Sequence, residues 1–308
     1  MSIPTLTYDA MIDRLDWTEA VEALREGHKR PQAEIGDTFL GPATGTLLSR
    51  SAYVPGLGYG VKSFTVFDGN PQAGLPTVQG AMLVFEPEHG CLRAIVESPL
   101  VTEIKTAADS GLGARLLARP ESKRLLIVGG GTVARSLIAA YGALFPGLEQ
   151  ITLWTRRPEQ AQALVADVES AIPLAAAPDL AEAAAMADII SCATMAREPV
   201  LQGAWIKPGT HIDLIGAYKA DMREADDALI AKGRLFVDSR ATTLGHIGEL
   251  LIPMRAGVIS EGDVLGDLYD LVGGTAKGRE SAEEITIFKN GGGAHLDLMT
   301  ANYIASKA

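Results

Sequence analysis

The chain has 308 residues, 47% of them hydrophobic and 21% charged, an ordinary soluble globular composition at a length that favours two domains. Lys and Arg number 27 against 38 Asp and Glu, a net charge of -11 with no long basic block, so neither nucleic acid nor an anionic membrane is expected as a partner. The most apolar stretch, near residues 171–193, is broken by Pro178, Asp179, Glu182 and Asp188 and is too polar to span a membrane. Cys91 and Cys192 make no disulfide framework and lack metal-ligand spacing. With an N-terminus that shows no basic region followed by an apolar one, they fit a reducing cytoplasm.

In chain order, residues 7–30 offer Thr7 and Asp9 as caps and carry Ile12, Leu15, Val21 and Leu24 at the spacing of one or two amphipathic helices. TLLSRSAYV and GYGVKSFTVF, within 46–67, read as paired strands joined by a turn at Pro55-Gly56-Leu57-Gly58. After a loop at 68–76, VQGAMLVFEP and RAIVESP resume the strand pattern around Glu88-His89-Gly90, which predicts an antiparallel or mixed sheet. TEIKTAADSGLGARLL (102–117) is helical, and Arg119-Pro120-Glu121-Ser122 marks a first domain boundary.

From residue 124 strands alternate with helices, the mark of a parallel sheet. LLIV (125–128) is a buried strand followed by Gly129, Gly131 and Ala134 on a G-x-G-x-x-A spacing. Val133, Leu137, Ile138, Tyr141, Leu144 and Phe145 then share one helical face. The first glycine permits a tight turn, the second lets a pyrophosphate approach the backbone, and the small third residue lets helix and strand pack closely. The helix N-terminus supplies unpaired N–H groups. Further strands are read at ITLWT (151–155), weakly near 172–176, and at DIISCA (188–193), HIDLIG (211–216) and RLFVDS (234–239). Helices are read at 158–168, after a cap at Asp179, shortly after Asp221 and over 242–270, and the chain closes with ITIF, a glycine turn and a last helix. Five or six such runs fit a doubly wound sheet, and a glycine fingerprint at its first βα turn reads as a dinucleotide site.

Several stretches together resemble the ornithine cyclodeaminase/mu-crystallin family: VKSFTVFDGNPQAGLPTVQGAMLVFEP (61–87), TEIKTAADSGLGARLLARP (102–120), LLIVGGGTVARS (125–136), EPVLQGAWIKPGTHIDLIGAYKADMREAD (198–226) and EITIFKNGG (284–292). They run from about residue 45 to 292, and their combination is specific where each alone is not. The resemblance implies an α/β fold in two parts: a Rossmann domain over 119–289, and an α+β substrate and dimerisation domain from 1–118 with 290–308. It also implies a homodimer. Known activities of the family are cyclising deamination of ornithine or lysine, ketimine reduction, and reductive amination of pyruvate; the mu-crystallins also serve as binding or lens proteins.

These reactions share a hydride transfer between a nicotinamide and a carbon beside a carboxylate, so the protein must supply cations for the substrate. By resemblance Lys62 sits where the family keeps a substrate-facing lysine, and Lys105 where most members have an arginine reaching carboxylate and cofactor; a solvated surface lysine is the plain reading of each. The family's usual P-x-R motif is missing around Asp37. Arg50 and Arg30 are candidates to replace its cation, and either could equally be a surface arginine. The resemblance places Thr77, Lys105 and Thr106, then Thr132 and Val133 beside the fingerprint glycines, against the cofactor. It does the same for Ala193, Thr194 and Met195, for Gly216 and Ala217, and for Gly292.

Two positions discriminate further. The cyclodeaminase aspartate has Tyr218 in its place, and a tyrosine of pKa about 10 is a poor base at neutral pH, which favours a reductase. After the second Rossmann strand the chain reads Trp154-Thr155-Arg156-Arg157 with no acid to hold a ribose 2′-hydroxyl, whereas arginines match a 2′-phosphate. His211 and His246 read as structural, Asp188 and Asp238 as caps or turn residues. His295 and Asp297 lack a third ligand, so no metal is expected. The expectation is a reductase of small imino acids, best exemplified by Δ1-pyrroline-2-carboxylate to proline, that prefers NADP(H) with NAD(H) possible. Alternatives are an ornithine cyclodeaminase, an alanine-type dehydrogenase, or a mu-crystallin-like binding protein.

Overall fold

A computed structural model describes residues 3–42 and 44–308. They form two compact units, one of residues up to 105 with 293–308, the other of 106–292. The first begins with β1 (Thr5–Leu6), α1 (Tyr8–Met11) and α2 (Trp17–His28). Thr7 makes no side-chain cap bond. Asp16 is the working cap: its carboxylate accepts the Glu19 N–H at 2.9 Å, and α2 then buries Ala20, Val21, Leu24 and Gly27 along one face.

Strands β2 (Glu34–Leu40), β3 (Thr46–Val54), β4 (Gly58–Val66), β5 (Val78–Phe85) and β6 (Leu92–Glu97) follow in an antiparallel meander, and β1 adds to β6 in parallel. The mixed sheet is as expected, but β2 had no sequence signal. EIGDTFL is exposed along its whole length at the sheet edge, so burial imposes no alternation on it. At the β5–β6 turn the Glu86 carboxylate accepts the N–H groups of Glu88, His89 and Cys91, and Gly90 takes φ 70. Next comes α3 (Ser98–Leu117), which starts four residues before the expected Thr102 because Pro99 sits in its first turn, where its missing N–H costs nothing. The division between the units falls inside this helix, after Lys105, rather than at the loop near 119.

The second unit alternates β7 (Arg124–Val128), α4 (Thr132–Leu144), β8 (Gln150–Trp154), α5 (Pro158–Asp167), β9 (Leu174–Ala176), α6 (Leu180–Met186), β10 (Ile189–Cys192) and β11 (His211–Leu214). It continues with α7 (Asp227–Lys232), β12 (Arg234–Val237), α8 (Arg240–Thr243), α9 (Gly248–Arg255), β13 (Val264–Gly266), α10 (Leu268–Gly273) and β14 (Thr286–Lys289). The eight strands form one parallel sheet in the order β13-β12-β14-β11-β10-β7-β8-β9. Strands β10, β11 and β14 are buried at every position, so none of them divides into a buried and an exposed face.

Two expectations need correction. The helix after Asp221 begins at Asp227, because Asp226 caps it by accepting the Leu229 N–H. Residues 242–270 hold the end of α8, all of α9, the start of α10 and a strand, β13, whose three residues are too few to show a period.

The last helix, α11 (Ala294–Ser306), belongs to the first unit and packs on α2 and on β3 and β4. Glycines make the approach possible: a Cβ on Gly27 would sit 2.3 Å from Met299 Sδ, and one on Gly60 2.8 Å from a Leu298 methyl. A polar residue on the buried face of this apolar helix therefore reaches the sheet.

Candidate active site

The glycine turn lies in the second unit, at the carboxyl ends of its strands, where the order reverses between β7 and β10. Gly129 has φ 129, and a Cβ there would meet the Ala193 carbonyl oxygen at 2.5 Å, so both conformation and space require glycine. A Cβ on Gly131 would meet nothing within 4 Å. The open side of that residue leads to the N-terminus of the 13-residue α4, where no side chain caps the helix; Thr132 is exposed and Val133 half-buried. Ala134 is 1% exposed, in keeping with the small residue that close helix packing needs. A cavity of about 370 Å³ runs from this turn past 154–157 to 193–196 and Val200, and no Asp or Glu lines it. Thr155 donates its hydroxyl to the Arg157 carbonyl at 2.6 Å, fixing the turn that presents the exposed Arg156 and Arg157. Met195 is exposed on the opposite wall. Glycine turn, free helix N-terminus and paired arginines fit a phosphate-rich dinucleotide.

Gly216 and Ala217 follow β11 and are tightly packed; Ala217 is buried, and a Cβ on Gly216 would overlap the Thr194 carbonyl. Gly292 takes φ 74 after β14. Its N–H and that of Gly291 both donate to Asp238, which also accepts from the Ser239 N–H and the Thr243 hydroxyl. Asp238 is thus the anchor of the glycine loop, a larger role than the cap or turn residue expected of it. Thr106 is buried, and its carbonyl accepts from Asn290, which also donates to Ser110.

The first unit holds the cations. Lys62, on β4, is 4% exposed and donates to Asp297 Oδ1 of α11 at 2.7 Å and to the Thr102 hydroxyl at 3.2 Å. Burial pushes its pKa down, Asp297 opposes that shift, and the neighbouring charge of Lys105 adds to it. Lys105 is 8% exposed and makes no hydrogen bond or ion pair among the described residues. Arg50 stands beside Lys62 in the β3–β4 register, and across β2–β3 it meets Asp37, whose carboxylate it holds through Nε at 3.1 Å and Nη2 at 2.9 Å. Arg50 is therefore neither a lone surface arginine nor an unpaired cation. Of the three cations Lys62, Lys105 and Arg50, two are paired, with Asp297 and Asp37. His295 nearby is pushed down to about 4 by burial, and so is neutral near pH 7.

Other candidates lie elsewhere. Arg30 donates to the Pro55 carbonyl at 3.2 Å, beside Leu57 and Tyr303, and has no bond to the Lys62 group. Thr77 is half-buried before β5, its carbonyl bonded to the Phe67 N–H. Tyr218 is half exposed under the Lys219 ammonium, and the exposed Asp221 pairs with Arg197 at 2.9 Å. His211 is buried, bonded to Thr286 at 2.9 Å and pushed to about 3 by burial, the structural role expected of it. Asp37 and Asp297 were missed as site residues. A signal for the second existed, since a lone acid in an apolar helix is too costly to bury without a cation.

Comparison with known proteins adds four findings. Residues 42–308 match the profile of the ornithine cyclodeaminase/mu-crystallin family. Delta(1)-pyrroline-2-carboxylate reductase of Paracoccus denitrificans is 65% identical over 301 residues, 97% of this chain and 95% of that one. Delta(1)-pyrroline-2-carboxylate reductase of Thermococcus litoralis, solved with NADH and L-proline, superposes with a TM-score of 0.92 at 31% identity, covering 99% of this chain and 97% of the other. An archaeal alanine dehydrogenase dimer with bound NAD gives 0.91 at 30% identity, covering 100% and 96%.

Proposed function

From the premise that this chain belongs to the ornithine cyclodeaminase/mu-crystallin family, we propose that it reduces a small cyclic imino acid, Δ1-pyrroline-2-carboxylate, to L-proline with a nicotinamide cofactor. The observation that carries the reading is the buried Lys62–Asp297 pair with Lys105 beside it, an ammonium that makes no ion pair among the described residues, which suits a carboxylate ligand. The bound cofactor supplies a hydride. Lys62 and Lys105 pair the substrate carboxylate and fix the ring. The ring nitrogen enters protonated, so the carbon beside the carboxylate is electrophilic. Hydride bonds to that carbon while the C=N π pair moves to nitrogen, giving the neutral amine. The amine then takes a proton from Lys62 or water. Burial, which lowers the Lys62 pKa, makes it a better proton donor than an exposed lysine.

Absence of an acid among the cavity residues, with Arg156 and Arg157 at the end of β8, supports a preference for NADP(H) over NAD(H). Tyr218 in place of a carboxylate, and Asp221 held by Arg197, support reduction over cyclising deamination. A homodimer is supported by the face of the first unit's sheet opposite α11. There Tyr53 and Tyr59 stack with ring centroids 4.6 Å apart beside Val61 and Phe85, leaving aromatic surface open for a second copy. The test is a substrate panel followed by NADPH oxidation. The pyrroline should be reduced readily, and ornithine with an oxidised cofactor should release little ammonia. Robust proline formation from ornithine would place the protein among the cyclodeaminases instead.

A further inference from the structure

Glu224 lies between β11 and α7 in a stretch without regular structure, and its side chain is fully buried. The carboxylate accepts three hydrogen bonds, from the Thr194 N–H at 2.6 Å, the Thr194 hydroxyl at 2.7 Å and the Gly216 N–H at 2.7 Å. Thr194 follows β10 and Gly216 follows β11, so one side chain ties together the two strand ends on the same side of the switch point. Their backbones touch, since a Cβ on Gly216 would fall 1.8 Å from the Thr194 carbonyl oxygen.

The neighbouring main chain extends the brace. The Arg223 N–H donates to Ala196, and the Val200 and Leu201 N–H groups donate to the Glu224 carbonyl at 2.8 and 2.9 Å. Glu249 of α9 accepts the N–H groups of Glu224 and Ala225 at 2.8 and 2.9 Å. Residues 193–196 and Val200 are the wall of the nucleotide cavity that this brace holds. The arrangement is costly. Burial and the charge of Glu224 raise Glu249 to about 7, and burial raises Glu224 as well, against the opposing charge of the buried Lys289. Apolar packing would hold two loops together without buried like charges. A carboxylate does something apolar packing cannot, because it decides which way the Thr194 hydroxyl points its proton.

We propose that Glu224 is a positioning residue for the nicotinamide half of the cofactor: it fixes the main chain at Thr194 and Gly216 and, by taking the Thr194 hydroxyl proton, presents that hydroxyl to the ligand as a hydrogen-bond acceptor. Its complement is a donor group on the ligand, a carboxamide NH2 or a ribose hydroxyl. The inference rests on the dinucleotide reading of the cavity. In the doubly wound fold the β10 and β11 ends serve the half of the ligand away from β8, so the adenosine half should not depend on the brace.

Binding of NADPH and of adenosine 2′,5′-bisphosphate, measured by fluorescence and calorimetry on Glu224→Gln and Thr194→Val, tests it. Both variants should bind NADPH about tenfold or more weakly, the scale of one lost charge-assisted hydrogen bond, and should hold the bisphosphate within about twofold of the unaltered protein. Equal losses for both ligands would reduce Glu224 to a general structural role, and unchanged NADPH binding by Thr194→Val would overturn the acceptor assignment. Thr194→Val keeps the question open to measurement if the glutamate variant does not fold. Failure of the unaltered protein to bind either nicotinamide cofactor would remove the dinucleotide reading itself, and the inference with it.

Discussion

Lys62 shows how much a single buried charge depends on its partner. Its ammonium is held by Asp297, whose other oxygen, Oδ2, has no hydrogen-bond partner among the described residues. Breaking such a pair leaves a buried charge uncompensated and costs about 3–5 kcal/mol. Lys62→Ala should therefore lose stability, and it should lower kcat/KM by roughly two to three powers of ten with cofactor affinity nearly intact. Lys105 has no hydrogen-bond or ion-pair partner among the described residues to strand, so Lys105→Ala should lose comparable activity with little change in melting temperature. Its loss should also weaken NADPH binding. A Lys62→Ala protein as active as the parent on every imino acid tried would show that the substrate group is wrongly drawn. At the other half, Arg156→Asp should weaken NADPH far more than NADH; equal losses would remove the basis for the NADP(H) preference. The lysines were legible in the sequence through the resemblance, and Arg156 and Arg157 through their place after the second strand of the nucleotide fold. The carboxylate partners of Arg50 and Lys62 were not, because Asp37 lies 13 positions from Arg50 and Asp297 235 from Lys62, on other elements that only folding brings together.

Strands buried on both faces were the most legible elements: β7 and β10 show it in the apolar runs LLIV and II, and β11 and β14 were still read although each carries buried polar residues. Edge elements were the least, as β2 and β13 show, because an exposed or three-residue strand imposes no pattern. Interior strands hide polar groups too. Asp213, in the middle of β11, is fully buried and accepts from Ser110 at 2.9 Å, Ser191 at 2.6 Å and Tyr141 at 3.3 Å. Burial raises it from the ordinary carboxylate value to about 7. A folded-state value above the unfolded one means that the folded protein binds the extra proton. The stability contributed by Asp213 is then fully present below about 4 and is lost as pH rises through about 7. Asp213→Asn should remove that loss, so its melting temperature relative to the parent should be higher at pH 8 than at pH 4. A difference that stays constant across that range would show that Asp213 is already ionised in the folded protein.

At the scale of the whole molecule, the order of elements was legible and the division into units was not. Loop composition pointed to 119, whereas the chain divides inside α3, a helix whose first half carries Lys105 and whose second half carries Ser110. No composition shift marks such a boundary, because one continuous helix needs the same residues throughout. Among the described residues no helix is long and apolar enough to cross a membrane. The sheet face bearing Tyr53 and Tyr59 predicts a dimer in solution; Tyr59→Lys with Val61→Lys should shift sedimentation to the monomer, and a parent that already sediments as a monomer would count against that interface. The central claim is hydride delivery to the imine carbon of a cyclic imino acid. It is tested most directly by supplying NADPH dideuterated at C4 with Δ1-pyrroline-2-carboxylate and locating the label in the product by mass spectrometry and NMR. The account predicts L-proline carrying one deuterium at the carbon beside the carboxylate; unlabelled proline, or no proline while NADPH remains bound, would contradict it.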